Sequence, residues 1–316
     1  VAFLRSLGSY LPARVVDNAE LAPMVGADPD WLLHATGIEE RRFAGPEETV
    51  ATLGIAAARA CLAGIPASEV GLVIVSSGSS EKRFPGPASQ IAAAIGAAGK
   101  PAIDLPMASA GGLFAIALAA ELAPRYGNVL VVASEVMSRV VRMHPTGRDT
   151  AILFGDGAGA CLVSHDTGFA EIVDSALATD GDFAEALRLD FDAPLYMDGR
   201  TIILQASRKL PRVISEVLER NGMQAGQIGT FLLHQANLNL LTRVAQALEV
   251  PADRFYCNIA KYGNTSSASL LIAADEWWQG CEKPLQAPIV LAAFGAGLNW
   301  GAVVARAARA ALALSF

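Results

Sequence analysis

Three residues stand on turns behind or between apolar runs, with side chains suited to chemistry at a carbonyl: Ser109, His234 and Asn264. Ser109 lies in IDLPMASAGGLFAIALAAEL, residues 103–122. The short apolar stretch Ile103 to Met107 leads into Ala108-Ser109-Ala110, then two glycines and a helix-like run from Leu113 to Leu122. A helix N-terminus has free N–H groups and a partial positive charge. An alcohol there could take up an acyl group while nearby amides hold the oxyanion. The plainer reading of Ser109 is an ordinary N-cap. His234, in LLHQAN, follows an apolar strand directly. A neutral imidazole there can act as a base or donate to a carbonyl, and a structural histidine is the alternative. Asn264, in KYGNTSSAS, is either a turn asparagine or an amide donor towards a carbonyl or enolate.

Two glycine-rich stretches lie near these positions in the chain. FGAGLNWG (294–301) is small enough to let backbone amides approach a substrate carbonyl, as the second half of an oxyanion hole, or it is a tight turn between core strands. FGDGAGA (154–160) matches neither GxGxxG nor GxxxxGK[ST], so nucleotide binding is not expected. His34, His144 and His165 have no assigned role.

The elements that would position these groups alternate between β-rich and Ala/Leu-rich runs, the pattern of an α/β layered fold. Strands are expected at Gly71–Ser76, Val129–Ala133, Ile152–Phe154, Thr230–Leu233 and Ile289–Ala293. Helices are expected at Val50–Ala63, Pro87–Ile95, Gly112–Glu121, Leu210–Asn221, Leu238–Leu248 and Ser267–Trp278. A weak internal repeat relates SEVGLVIVSSGSS to GQIGTFLLHQAN, ASAGGLFAIALAAEL to GNTSSASLLIAADEW, and GNVLVVASE to APIVLAAFG, in the same order. The seam falls near SHDTG, Ser164–Gly168, giving halves 1–164, with the nucleophile turn, and 165–316, with the histidine and asparagine. A pseudo-twofold would bring equivalent strand ends together, where ligands bind in such sheets.

Composition narrows the function. Hydrophobic residues make up 53% of the 316 and charged residues 17%, which calls for large buried interfaces, a subunit interface among them. A net charge of −7 without a long basic block argues against nucleic acid. The stretch Ala287 to Ala305 carries Pro288, internal glycines and Asn299, so it reads as strand–turn–strand rather than a membrane span. The start, Val1-Ala2-Phe3-Leu4-Arg5, has no signal-peptide pattern, and Cys61, Cys161, Cys257 and Cys281 form no CxxC pair. A reducing, cytoplasmic setting is expected, with no metal site and no cofactor.

From about Ser9 to Ala302 the chain resembles the β-ketoacyl-acyl-carrier-protein synthase III family of the thiolase-like superfamily. The matching pieces are DWLLHATGIEERR, KRFPGPASQ, GRDTAILFGDGAGA, LLHQAN, YGNTSSAS and FGAGLNWGA, in family order. The resemblance implies a duplicated five-layer α/β/α/β/α fold and a homodimer. It also implies condensation of an acyl-coenzyme A (CoA) or acyl-carrier-protein (ACP) donor with malonyl-ACP. His234 and Asn264 would promote decarboxylation and hold the enolate. Ser109, Gly295 and Ala296 would form the oxyanion hole, Trp31 and Arg148 would sandwich the CoA adenine, and Phe84 would reach into the partner's acyl pocket. Three positions depart from the pattern. The family has its nucleophilic cysteine at Ser109, an arginine at Ala35 and a basic residue at Asn239. Serine marks either a specialised relative or a replaced cysteine, and a replacement would leave Ala35 and Asn239 unexplained. Two other readings stay open: an O- or N-acyltransferase of natural-product assembly, and a non-catalytic acyl-binding partner subunit.

Overall fold

The computed structural model describes residues 1–308. Ten strands form one hydrogen-bonded sheet that divides into two runs with the same order. The first run is Ala102–Leu105, Val70–Ser76, Asn128–Val136, Asp156–Ser164 and Ala2–Tyr10. The second is Phe255–Tyr256, Thr230–Leu233, Ile289–Gly295, Asn299–Ala307 and Ala170–Thr179. In each run the first three strands are parallel and the last two antiparallel. The runs join through a short antiparallel pairing of Ala2–Leu4 with Ala170–Ile172.

Helices Val50–Cys61 and Ala88–Ala94 cover the outer face of the first run. Gly199–Arg220 and Leu238–Ala247 cover that of the second. Gly111–Tyr126 and Ser269–Gly280 lie between the runs and pack on both. The result is five layers around three stacked cores, which is where the apolar composition is buried. A fourth cluster, built on Asn18–Val25, Pro29–Thr36 and residues 137–154, packs beside the strand ends. Among the described residues no helix is long and apolar enough to cross a membrane.

Two expected elements differ. Ile152–Phe154 is not a strand. Arg148–Ala151 is a short helix, Phe154 makes only an isolated bridge to Asn264, and the strand begins at Asp156. The apolar run at 152–154 packs into the fourth cluster instead of the sheet. The helix expected from Leu210 starts at Gly199, where Asp198 caps it by accepting from Thr201 N at 3.1 Å. Apolar periodicity misses the first turns because Arg200, Thr201 and Gln205 to Lys209 are mostly polar.

Candidate active site

The two middle-layer helices start at one place. Ser109 precedes Gly111–Tyr126, and the turn carrying Asn264 precedes Ser269–Gly280. Ser109 is buried and takes a left-handed backbone, φ 57°. Its N–H donates to Ser266 Oγ at 3.0 Å, so one amide assigned to an oxyanion hole already has a partner. Gly295 closes over the same turn. A Cβ there would lie 2.5 Å from Ala108 O and 2.7 Å from Ala110 N, so no side chain fits. Ala296 packs in the fourth cluster.

His234 leaves strand Thr230–Leu233, and its N–H donates to Ala292 O of the neighbouring strand at 2.9 Å. Its Nδ1 lies 2.5 Å from Ser269 Oγ, which also accepts from Gln235 N at 3.0 Å. Burial pushes the imidazole down to about 4, against an opposing pull from the Ser266 carbonyl. The ring is therefore neutral at neutral pH. Asn264 Oδ1 accepts from Ser266 N at 2.8 Å, and its amide nitrogen is 3.4 Å from Ala236 O. The Asn264 backbone is clamped between Leu153 O and Gly155 N.

Ser109, His234 and Asn264 all line one apolar cavity of about 80 Å³, walled by Phe154, Leu187, Met197, Ile202, Leu240 and Gly295. Trp31 and Arg148 stack on each other instead of standing apart, with the guanidinium 5.2 Å from the ring centroid. Phe84 lies outside this cavity and is 84% exposed. Ala35 and Asn239 meet: the amides of Asn237 and Asn239 donate to Ala35 O at 3.1 and 3.3 Å.

Sequence reasoning missed three groups behind the site. Glu135, at the end of strand Asn128–Val136, is fully buried. It accepts from Ser77 Oγ, Gly78 N, Ser79 N and Oγ, and Ser267 N and Oγ. It thus ties both halves together directly behind the Asn264 turn. Arg41, fully buried, reaches Asn18 Oδ1 at 2.8 Å and Ile152 O at 3.1 Å, and burial lowers it to about 10. Ser269 is one of three serines in YGNTSSAS, and nothing in the local sequence distinguishes it from the other two.

Neutral His234 makes a pH prediction. Its folded value lies below the ordinary 6.5, so the unfolded chain binds the extra proton. Its contribution is complete above pH 6.5 and is lost as pH falls towards about 4. Denaturant melts across that window should show wild type losing roughly 3 kcal/mol more than His234→Asn. Parallel slopes would contradict a neutral buried ring.

Two α/β runs of identical strand order, back to back on a shared helical layer, with an apolar cavity where their strand ends meet, define the thiolase-like class. Comparison narrows the class. Residues 103–181 match the model of 3-oxoacyl-[acyl-carrier-protein] synthase III, and residues 218–307 match its C-terminal model. The chain is 35% identical over 307 residues to a β-ketoacyl-[acyl-carrier-protein] synthase III of Rubrobacter xylanophilus, covering 94% of this chain and 95% of that one. The crystal structure of 3-oxoacyl-[acyl-carrier-protein] synthase III from Aquifex aeolicus superposes with a TM-score of 0.92 at 34% identity, covering 97% and 100%. The priming β-ketosynthase of the R1128 polyketide pathway superposes with 0.90 at 32%, covering 96% of each chain. The chain belongs to the 3-oxoacyl-[acyl-carrier-protein] synthase III family.

Proposed function

We propose that the chain is a condensing, acyl-transferring ketosynthase of the synthase III type. An acyl group passes from a CoA or ACP thioester to Ser109 and then to the carbanion left when malonyl-ACP loses carbon dioxide. His234 and Asn264 donate to the malonyl thioester oxygen as it becomes an enolate, the charge-stabilising role that fixed donors perform in a dry site. The single observation that carries this reading is that Ser109, His234 and Asn264 face one apolar cavity. Retention of both donors favours carbon–carbon bond formation over simple O- or N-acyl transfer. Incubation with acyl-CoA and malonyl-ACP, followed by mass analysis of the carrier, should show the 3-oxoacyl product. Acyl transfer with no carbon dioxide released would point to the simple acyltransferase.

The same reading assigns Gly295 and Ala296 to the oxyanion hole and Trp31 with Arg148 to the CoA adenine. Exposed Phe84 goes to the acyl pocket of a second copy in a cytoplasmic homodimer. It takes the duplicated halves as 1–164 and 165–316, of which 309–316 lie outside the described residues. Neither Ala35 nor Asn239 offers a cation beside the cavity. Ala35→Arg is expected to tighten CoA binding about fivefold in calorimetry, the scale of one exposed ion pair. Unchanged affinity would mean that the phosphates lie elsewhere.

A further inference from the structure

We propose that Ser269 decides which nitrogen of His234 carries the proton, and so favours His234 as a hydrogen-bond donor towards the cavity over His234 as a base. This rests on the function proposed above and assigns a positioning role behind it. Ser269 opens helix Ser269–Gly280 and is buried. Its Oγ accepts from Gln235 N at 3.0 Å and lies 2.5 Å from His234 Nδ1. A hydroxyl has one hydrogen, and among the described residues Nδ1 is its only acceptor. A neutral imidazole that accepts at Nδ1 has its proton on Nε2, the nitrogen remote from Ser269.

A backbone carbonyl competes with Ser269 for the ring. The Ser266 carbonyl accepts from Ser269 N and pulls on the imidazole. A proton on Nδ1 would be donated to Ser269 Oγ, with its hydroxyl rotated away. Ser269 therefore sets a balance between two ring forms with different uses. The Nε2–H form donates to the malonyl thioester oxygen during decarboxylation. The Nδ1–H form has a free Nε2, which takes the Ser109 proton as Oγ bonds to the donor carbonyl carbon. When that carbon–sulfur bond breaks, the same proton goes to the departing thiolate. In this chain the resting hydrogen bonds favour the first use.

Nitrogen-15 NMR of histidine-labelled protein at neutral pH tests this with four rings to assign. Wild type should show His234 protonated at Nε2, and Ser269→Ala, which removes the hydroxyl that donates to Nδ1, should shift the proton towards Nδ1. Decarboxylation of malonyl-ACP by Ser269→Ala should fall at least tenfold, while acylation of residue 109 by acyl-CoA holds or quickens. Ser269→Thr, which keeps the hydroxyl, should retain the wild-type ring form. A wild-type proton on Nδ1 overturns the proposal, and that measurement needs no variant. Equal losses of both reactions in a folded Ser269→Ala also overturn it, since they mean general damage. If wild type itself carries out neither reaction, the proposed function falls, and the NMR result still decides the role of Ser269.

Discussion

Ser109→Cys is expected to acylate faster than wild type by roughly 10²-fold or more, the scale of a positioned general base that a thiolate no longer needs. A few per cent of an ordinary thiol is ionised at neutral pH, whereas an alcohol must lose its proton during attack. Ser109→Ala should form no covalent adduct. His234→Ala should slow the serine enzyme more than the cysteine variant. Asn264→Ala should spare acylation and impair decarboxylation, because its amide is needed only when the enolate forms. Intact-protein mass spectrometry with acyl-CoA, followed by peptide mapping, reads all four. An acyl group mapped elsewhere would remove Ser109 from the mechanism. No adduct with any donor would leave the acyl-binding partner subunit as the better reading.

Glu135→Ala should be the most destabilising single change near the site. It strips the acceptor from Gly78 N and from five donors on the buried residues Ser77, Ser79 and Ser267. Each buried donor left without a partner costs about 1–3 kcal/mol, so a loss of at least ~4 kcal/mol is expected in denaturant melts. Glu135→Gln should rescue little. Its NH₂ would face groups that are themselves donors, and it accepts through one oxygen where the carboxylate uses two. Near-wild-type stability of Glu135→Gln would show that packing volume, not acceptor capacity, matters here.

Much of this was legible because the apolar pattern and the turn residues agree. Thr230–Leu233 appears with the expected bounds, the two strand pairs of the repeat occupy equivalent places in the two runs, and the third pair forms the two helices between them. Ser109, His234 and Asn264 could be singled out because each interrupts an apolar pattern at a turn. Glu135 lies beyond the strand expected at Val129–Ala133, and nothing near it in the chain reveals that Ser267 comes from the other run's side to meet it. Arg41 stands in a run of four charged residues, Glu39 to Arg42, yet it is fully buried and reaches a carbonyl 111 residues away in sequence. Phe154 follows strand-like residues but is drawn out of the sheet by its pairing with Asn264. In each case long-range hydrogen bonding overrode a local signal.

The amide bonds that close Asn237 and Asn239 onto Ala35 bear on encounter kinetics. CoA is a polyanion, and this chain has a net charge of −7. With no cation at those two positions and the Arg148 charge offset by Asp149 at 3.7 Å, little local field draws such a donor inward across a Debye length of about 10 Å. Capture then proceeds at the rate of unsteered collision, of order 10⁵–10⁶ M⁻¹s⁻¹. Added salt, which ordinarily slows an attracted pair, should leave that rate level or raise it by masking the repulsion.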